Sequence, residues 1–441
     1  MMREWPITFH VITFHAESFP NPALLLYPGQ SHWQAGGFAI VLSETPCYNH
    51  NEMDQLGLYI HIPFCQAKCA YCDFTSYAGL NSLFPSYVAA LEAEMAWYAG
   101  AGVPGIDTLY IGGGTPTILP IPLLKQMLEG VKRHFHLSPQ AEITMEANPG
   151  TVDEGKLQMF QAAGVTRFSL GVQSFRDEEL ALLGRFHTAA GALAGYWQAR
   201  AAGFTNINLD LIYGLPVQRL SGWQATLEQA LALKPDHLSC YALTLEEGTP
   251  LADRVAAGDL PAPDDDLAAE MYELAEERLG QRGYHHYEIS NWARSPAYIS
   301  RHNLRYWRYE PYLGLGAAAH SFRHVHRWWN VSHPERYIAR LKGARRRPSS
   351  WESPARAGGE VISRDLAMAE MVMLGLRLVE EGVELSDFAQ RFNQPLEEVY
   401  GAEIEALVQI GLLEITPDCL RLTPRGRLLG NEVFQRFLPP S

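Results

Sequence analysis

The sequence has few of the features that direct a chain to a membrane, to the cell exterior or to nucleic acid. It contains no apolar run near the roughly 18 residues that a membrane-spanning helix needs, and its N-terminus lacks the basic segment and long apolar core of a secretory signal. Basic residues are outnumbered, with 35 Lys and Arg against 49 Asp and Glu, and the net charge of −14 repels a phosphate backbone. We therefore expect a cytoplasmic protein that does not bind nucleic acid.

Cysteine is also scarce, and its distribution excludes a disulfide framework. A framework would spread its cysteines along a chain of 441 residues, whereas here three lie within eight residues and the others are scattered. This pattern predicts a metal or cofactor site in a reducing compartment. The six cysteines are Cys47, Cys65, Cys69, Cys72, Cys240 and Cys419.

The first 55 residues differ from the rest of the chain. They mix aromatic residues, prolines and glycines without a sustained helical or strand period, so we expect a poorly ordered N-terminal extension at 1–55. Met53 stands five residues before a clean strand that begins at Leu58. One hypothesis is that residues 1–52 are an appendage to the functional protein.

Strand and helix patterns alternate from Leu58 to about residue 245. Alternation of this kind predicts a parallel sheet with helices outside, and a hydrophobic content of 47% suits such a buried core. Six units fit, so the predicted fold is α/β, a partial (β/α)6 barrel related to the TIM barrel at 56–290, with an open doubly wound sheet as the alternative. Ligands should collect at the carboxyl ends of the strands. The strands after the first are predicted at Thr108–Ile111, Ile143–Glu146, Phe168–Val172, Ile207–Ile212 and His237–Leu243.

Two further regions follow the barrel. Residues 291–360 form a less regular connecting region, in which Arg336–Arg347 carries six basic residues and no acid. This run is typical of a solvated helix face, with contact to anionic lipid or to nucleic acid as the alternative. Residues 361–441 show three helices, a hairpin and a last helix at Pro424, the outline of a winged-helix-like α+β domain. From Asp365 onward the sequence contains 13 acidic residues and only six arginines. This excess of negative charge favours a structural or docking role over DNA binding.

The strongest chemical signal is the segment that runs from Cys65 through Cys69 to Cys72. It follows the first strand directly, where a barrel places its active site. Three thiolates do not close a tetrahedral zinc site alone, although His61 could supply a fourth ligand. On a four-iron cluster, three cysteines leave one iron open to a small molecule. An iron–sulfur centre is the favoured interpretation, and zinc remains an alternative.

The C-x3-C-x2-C spacing, with an aromatic residue (Tyr71) before the last cysteine, resembles the radical S-adenosylmethionine superfamily. In that superfamily the amino and carboxylate groups of S-adenosylmethionine chelate the open iron, and reductive cleavage of the sulfonium gives a 5′-deoxyadenosyl radical. The resemblance therefore implies a [4Fe-4S] cluster held by Cys65, Cys69 and Cys72, together with bound S-adenosylmethionine and an electron donor.

Within the superfamily, the sequence is similar to the group that contains oxygen-independent coproporphyrinogen oxidase and the haem chaperones. The similarity rests on the segments Tyr59–Cys65, Gly113–Pro116, Glu146–Gly150, Gly171–Ser174 and Asp210–Pro216. The triple glycine Gly112–Gly114 further suggests a backbone that approaches a ligand closely and offers its N–H groups. The residues that the resemblance implies for S-adenosylmethionine are Tyr59, Gly113, Gly114, Thr115, Glu146, Gln173, Arg185 and Asp210.

A second motif, His302-Asn303-Leu-Arg-Tyr306-Trp307, resembles one found in the haem chaperones of this group. Histidine is a common proximal haem ligand, and aromatic side chains can cover a porphyrin face, so the resemblance implies haem binding here. From His302 alone, a buried histidine among core aromatics is the plainer interpretation. The histidines that follow could each supply another axial ligand: His320, His324, His326 and His333.

Two functions are compatible with these motifs. The first is a haem chaperone that carries the cluster and S-adenosylmethionine and passes haem to an acceptor protein. The second is radical decarboxylation of coproporphyrinogen III. The oxidase has a further cysteine just after its third cluster ligand, whereas Asp73 and Phe74 follow Cys72 here, which favours the chaperone. Whether the chain is an enzyme stays open.

Overall fold

The computed structural model describes residues 55–343 and 351–439. The proposed appendage at 1–52, Cys47 and the end of the basic run at Arg336–Arg347 lie outside the described residues. In chain order the described strands are β1 (Gln55–Ile62), β2 (Phe64–Cys65), β3 (Tyr77–Ala78), β4 (Gly105–Gly113), β5 (Leu137–Ala147), β6 (Arg167–Gln173), β7 (Ile207–Tyr213), β8 (His237–Ala242), β9 (His285–Glu288), β10 (Asn291–Ala293), β11 (Tyr312–Leu315), β12 (His320–Arg323), β13 (His326–Asn330), β14 (Arg356–Val361), β15 (Val383–Glu384), β16 (Leu413–Ile415) and β17 (Cys419–Leu422).

Helices lie between most of these strands. They are α1 (Phe84–Ala99), α2 (Ile121–His134), α3 (Glu154–Ala163), α4 (Asp177–Leu182), α5 (Ala189–Ala201), α6 (Leu220–Leu233), α7 (Pro250–Ala256), α8 (Asp265–Gln281), α9 (Arg301–Trp307), α10 (Pro334–Leu341), α11 (Arg364–Gly375), α12 (Leu385–Phe392), α13 (Leu396–Gln409), α14 (Pro424–Leu428) and α15 (Gly430–Phe434). None of the helices in these two ranges is long and apolar enough to cross a bilayer.

One large sheet carries the fold, in the order β14-β13-β12-β11-β1-β4-β5-β6-β7-β8-β10-β9. The six strands from β1 to β8 that the sequence predicts pair in parallel, which confirms the α/β partial barrel. Helices cover their outer face, so a strand such as β6 is buried along its whole length.

Pairings between distant segments extend this sheet. Strand β11 adds a further parallel strand beside β1, and β12, β13 and β14 continue the sheet in antiparallel order. The strand-like stretch expected at Leu313–Phe322 is thus two strands joined by a turn at Gly316, whose φ is +101°. Residues 291–360 therefore contribute strands to the barrel sheet, and the three boundaries between the four regions drawn from the sequence stay predictions.

The C-terminal region has the predicted order of elements. Helices α11, α12 and α13 precede the hairpin of β16 and β17, and α14 begins at Pro424. A short strand that the sequence does not reveal, β15, pairs with β17 and makes a small three-stranded sheet. This arrangement confirms a separate α+β domain after the barrel.

Helix α1 fixes the sheet extension to the barrel through a buried carboxylate. Glu94 has no solvent exposure and accepts hydrogen bonds from the Gly316 N–H (2.9 Å) and from the side chains of Asn330 (2.9 Å), Tyr337 (2.5 Å) and Ser353 (2.7 Å). One side chain therefore ties α1 to the turn after β11, to β13 and to α10.

Candidate functional site

An open cavity of about 230 Å³ lies at the carboxyl ends of the parallel strands. Cys65, Cys69 and Cys72 all line it, and all three thiols are free and half-buried. Other predicted site residues line the same cavity: Gly113, Gly114, Thr115, Glu146, Gln173, Arg185 and Asp210. The position agrees with the rule that parallel strands present their ligand site at this end.

The glycines beside the cavity also allow close packing within the protein. A Cβ at Gly114 would lie 2.5 Å from the Phe64 carbonyl oxygen and 3.0 Å from the Cys65 sulfur, so this glycine lets the loop pack directly on the cysteine segment. The N–H groups of Gly114 and Thr115 donate to Ile62 O (2.9 Å) and Phe64 O (2.7 Å). The expectation that these N–H groups are free for a ligand is wrong, because β1 and its loop already use them.

Polar side chains surround the thiols on the cavity wall. The Arg185 guanidinium donates to the Cys69 sulfur (3.3 Å), to the Gly171 carbonyl (2.8 Å) and to the Asn148 side-chain oxygen. Asn148 in turn donates to the Thr115 hydroxyl (2.8 Å), which lies 3.7 Å from the Cys65 sulfur. Hydrogen bonds to ligand sulfurs are one means by which proteins tune iron–sulfur centres.

Burial favours the protonated form of the Cys65 and Cys72 thiols when no metal is present. It raises the pKa of Cys65, and it raises the pKa of Cys72 to about 12. A bound metal reverses this preference because it deprotonates a coordinating thiol outright. The raised pKa values therefore argue against Cys65 and Cys72 as free nucleophiles.

Glu146 is one of the acidic residues that line the cavity. Its carboxylate accepts a hydrogen bond from the Tyr110 hydroxyl (2.6 Å) and one from the Gly113 N–H (3.2 Å). Burial raises the pKa of Glu146 to about 7, and nearby Asp210 adds to this rise. The carboxyl group therefore changes charge near neutral pH, directly beside the cavity.

Two further predicted residues line the cavity on β6 and β7. Gln173 ends β6 with a φ of +67°, a strained conformation for a residue other than glycine, at a point where the pairing of β6 with β7 shifts register. Asp210 accepts hydrogen bonds from Asn208 (2.7 Å) and Ser169 (3.1 Å), and burial raises the pKa of Asp210. The Asp210 side chain is thus held in place by protein groups alone.

Tyr59 is set apart from the other predicted residues, because it does not line the cavity. Its hydroxyl is 2.9 Å from His61 Nδ1, and the other ring nitrogen of His61 is 2.9 Å from the Thr75 carbonyl oxygen. His61 thus has both nitrogens engaged, which argues against it as a fourth zinc ligand. No three His, Cys, Asp or Glu side chains of the described residues converge closely enough for a single metal ion.

A four-iron cluster requires a different arrangement of ligand atoms from a single metal ion. Its cysteines bind separate irons, so their sulfurs must line one cavity without meeting at one point. Cys65, Cys69 and Cys72 meet this condition, and Arg185 and Thr115 supply hydrogen-bond donors near the sulfurs. The donor set therefore fits an iron–sulfur cluster better than it fits zinc.

The second motif is packed inside the barrel. His302, on α9, is buried, with Nδ1 at 2.9 Å from the Thr108 hydroxyl and Nε2 at 2.9 Å from the Tyr306 hydroxyl. Glu142 accepts hydrogen bonds from the His302 N–H (3.0 Å) and the Arg301 N–H (3.1 Å), so β5 caps the helix. Burial and Arg305 lower the pKa of His302 to about 3, which keeps the ring neutral.

The other motif residues take part in the same packing. The guanidinium of Arg377 lies 4.4 Å from the ring centre of Trp307, and Asn303 is half-buried in the first turn of α9. His302 also stacks on Tyr110 at 5.2 Å between ring centres. Because Tyr110 lines the cavity, one aromatic ring separates the motif from the thiol site.

The remaining candidate histidines lie on or near the β12–β13 hairpin. His320 stacks on Trp329 with 5.5 Å between ring centres, His326 is exposed, and His333 lies 5.0 Å from the Tyr77 ring. These three, and His324, do not line the thiol cavity. Their role as axial ligands stays a prediction.

Several residues that line the cavity were not predicted from the sequence, among them three that carry groups that can hydrogen-bond or bind a ligand. They are Tyr110, Asn148 and His187. Asn148 lies within the Glu146–Gly150 segment, and His187 follows Arg185 by two positions, so proximity to recognised residues was the available signal. Tyr110 carried no signal, because an aromatic residue in a buried strand is ordinarily core.

Comparison with known proteins places the chain in a family. The family model of the radical SAM superfamily matches residues 59–230, and that of the HemN C-terminal domain matches residues 362–429. The chain is 41% identical over 389 residues to the heme chaperone HemW of Mycobacterium tuberculosis (strain H37Rv), covering 87% of this chain and 94% of the relative. The chain belongs to the HemW family.

Two other members of the family and one solved structure support this membership. The heme chaperone HemW of Bacillus subtilis is 38% identical over 86% of this chain and 98% of its own length, and that of Escherichia coli is 35% identical over 88% and 99%. Coproporphyrinogen III oxidase (HemN) from Escherichia coli, a radical SAM enzyme, matches with a TM-score of 0.74 and 25% identity, covering 87% of this chain and 90% of that structure. The fold of the HemW family is thus that of the radical SAM barrel with its C-terminal domain.

Proposed function

We propose that the chain is a haem chaperone, which binds haem, carries a [4Fe-4S] cluster with S-adenosylmethionine, and passes haem to an acceptor protein. The observation that carries this proposal is the set of relatives named heme chaperone, at 35–41% identity over most of the chain. The cavity with three thiols supports the cluster part independently.

Cys65, Cys69 and Cys72 are the proposed cluster ligands. Arg185 and Thr115 would stabilise the bound thiolates, because a donor beside a thiolate sulfur favours the charged form. When bound, the cluster supplies an open iron for the amino and carboxylate groups of S-adenosylmethionine. The protein's part is to hold the sulfurs, orient the ligand and exclude water.

Glu146, Gln173 and Asp210 are the proposed contacts for S-adenosylmethionine, together with Gly113, Gly114, Thr115 and Arg185. The two carboxylates place negative charge in a cavity that would receive a cationic sulfonium and an ammonium group, which is a favourable arrangement at low dielectric. Tyr59 does not line the cavity, so its proposed contribution is indirect, through His61.

Affinity for S-adenosylmethionine should depend on pH through Glu146. With its pKa near 7, the carboxyl is protonated and neutral below this pH and charged above it. We expect the dissociation constant of cluster-loaded protein to rise about tenfold as the pH falls from 8 to 6, measured by equilibrium dialysis. Glu146→Gln should bind weakly at both pH values, without this slope.

The matched control is Asp73→Asn. Asp73 is an exposed acid that lines the same cavity, so its removal lowers the local negative charge without removing the group that titrates near neutrality. The dissociation constant of Asp73→Asn for S-adenosylmethionine should therefore depend on pH as that of the wild type does. If the dissociation constant of Glu146→Gln still rises as the pH falls, the pH dependence is not due to Glu146.

Coproporphyrinogen III oxidase is the second candidate, favoured by the TM-score of 0.74 to HemN. Anaerobic titration with ferric haem, beside a coproporphyrinogen decarboxylation assay, separates the two. We expect saturable haem binding, transfer to a haem-free acceptor protein, and no protoporphyrinogen. Conversion of coproporphyrinogen, or failure to bind haem, would overturn the chaperone proposal.

The motif at His302, Asn303, Tyr306 and Trp307 keeps a proposed role in haem binding that depends on a rearrangement. Both ring nitrogens of His302 are hydrogen-bonded, so the Tyr306 contact must break before His302 Nε2 reaches an iron. Partners beyond haem and an acceptor protein are likewise proposed: an electron donor for the cluster, and contact of the Arg336–Arg347 run with anionic lipid. A cytoplasmic location is part of the same proposal.

A further inference from the structure

Asn148 joins two polar groups that each lie beside a different cysteine of the cavity. Its side-chain oxygen accepts a hydrogen bond from the Arg185 guanidinium, which donates from its other terminal nitrogen to the Cys69 sulfur (3.3 Å). Its side-chain nitrogen donates to the Thr115 hydroxyl (2.8 Å), and that hydroxyl lies 3.7 Å from the Cys65 sulfur. One amide therefore connects the polar neighbours of two thiols.

The direction of each of these hydrogen bonds follows from the chemistry of the groups. A guanidinium only donates, so the Asn148 atom that faces Arg185 is the oxygen, and the amide nitrogen faces Thr115. An amide nitrogen also only donates, so the Thr115 oxygen accepts from it. The remaining partner of this hydroxyl among the described residues is the Cys65 sulfur, which accepts at a longer distance than oxygen because sulfur is larger. Asn148 thus makes Thr115 a donor to Cys65.

The position of Asn148 is itself fixed by its surroundings. Its backbone carbonyl accepts from the Thr151 hydroxyl (2.7 Å) and from the Thr151 N–H (3.0 Å), in the turn after β5. A Cβ at Gly171 would lie 2.7 Å from the Asn148 side-chain oxygen, so this glycine on β6 leaves room for the amide. The Gly171 carbonyl also accepts from Arg185 (2.8 Å). The amide is therefore held between the ends of two neighbouring strands.

We propose that Asn148 is a positioning residue that raises the reduction potential of the cluster, because it directs a hydrogen-bond donor toward each of two ligand sulfurs. This inference rests on the cluster part of the proposed function. Reduction adds negative charge to an iron–sulfur cluster, and hydrogen bonds to its sulfurs stabilise that charge and so raise the potential. Asn148 acts through Thr115 and Arg185 and supplies no ligand atom of its own.

The test is an anaerobic redox titration of reconstituted full-length protein, followed by visible absorbance, with iron and sulfide contents measured for each variant. S-adenosylmethionine is left out, so that contact with this ligand does not contribute. Asn148→Ala removes the group that orients both donors. It should lower the potential by the equivalent of about tenfold in the reduction equilibrium, which is about 59 mV for one electron.

Asn148→Asp keeps the shape of the side chain and its contact with Arg185. A carboxylate only accepts, so the Thr115 hydroxyl would donate to it instead of to Cys65, and the potential should fall at least as far as in Asn148→Ala. Asn393→Asp is the matched control, since Asn393 is exposed at the end of α12 in the C-terminal domain and does not line the cavity. Its potential should equal that of the wild type.

Thr115→Val separates the lost hydrogen bond from the added charge. Valine has nearly the shape of threonine without the hydroxyl, so this substitution should lower the potential of the wild type. Combined with Asn148→Asp, in which the hydroxyl no longer donates to Cys65, the same substitution should change the potential little further.

Wild-type protein that takes up no iron and sulfide would overturn the cluster proposal itself. A wild-type potential in cluster-loaded Asn148→Ala and Asn148→Asp would overturn this inference alone, and so would a Thr115→Val shift of equal size with and without Asn148→Asp. If Asn148→Ala does not take up a cluster, Asn148→Asp and its combination with Thr115→Val decide. Loss of the cluster from Asn148→Asp as well would assign Asn148 to cluster assembly and would also overturn the inference.

Discussion

Replacing Cys65, Cys69 or Cys72 with alanine is expected to empty the cluster site. Each thiolate would bind its own iron, and water does not replace a sulfur ligand in a cluster of this kind. The neighbouring donors, Arg185 and Thr115, hydrogen-bond to sulfurs but carry no ligand atom of their own. Anaerobic reconstitution of each variant should give iron and sulfide near background and no broad visible absorbance.

Cys240→Ala is the control for this prediction. Cys240 is a free cysteine at 1% exposure in the core on β8, so its loss leaves a small cavity and costs about 1 kcal/mol or less of stability. Its iron content should equal that of the wild type. If Cys240→Ala also empties the site, or if a variant of the Cys65–Cys72 segment keeps full iron, the ligand assignment is wrong.

Glu94→Ala should cause the largest loss of stability. The substitution leaves four buried donors without an acceptor, namely the Gly316 N–H and the side chains of Asn330, Tyr337 and Ser353. Each unsatisfied group costs about 1–3 kcal/mol, so we expect a decrease of at least about 3 kcal/mol in the free energy of unfolding. Urea unfolding followed by tryptophan fluorescence measures it.

Glu92→Ala is the matched variant on the same helix. Glu92 contacts Arg133 and Gln126 at the surface with 29% of its side chain exposed, and a pair of this kind contributes about 1 kcal/mol or less. A change in Glu94→Ala as small as that of Glu92→Ala would show that the sheet extension does not depend on the buried carboxylate. Burial raises the pKa of Glu94, but its four donors still require an acceptor.

Much of the barrel and its ligand site was accessible to sequence reasoning, because both depend on local patterns. Buried runs such as Ile207–Ile212 are typical of strands covered on both faces, and the helical spacing of Tyr87, Leu91 and Met95 marks one buried helix face. The spacing of Cys65, Cys69 and Cys72 is also a local pattern. Because the three cysteines lie within eight residues, their thiols must lie close together, which predicts a shared metal centre. The position of the acids that line the cavity was predictable because the carboxyl ends of parallel strands meet at one edge of the sheet.

Other features depend on contacts between segments far apart in sequence. The Gly114 and Thr115 N–H groups donate to Ile62 and Phe64, about 50 residues earlier, and β11 joins β1 across about 250 residues. No local pattern encodes such pairings, because they are decided by which surfaces meet when the sheet closes.

The sequence by itself determined the fold class, the three clustered thiols and the family. Only the tertiary structure decided which of the described histidines lines the cavity and which has both ring nitrogens engaged. His302 stands in a motif, yet Thr108 and Tyr306 occupy both its nitrogens, whereas His187 stands in no recognised motif and lines the cavity with one nitrogen bonded to Val172. The physical reason is that a ligand atom must be both unpaired and accessible, and residue type and spacing specify neither property.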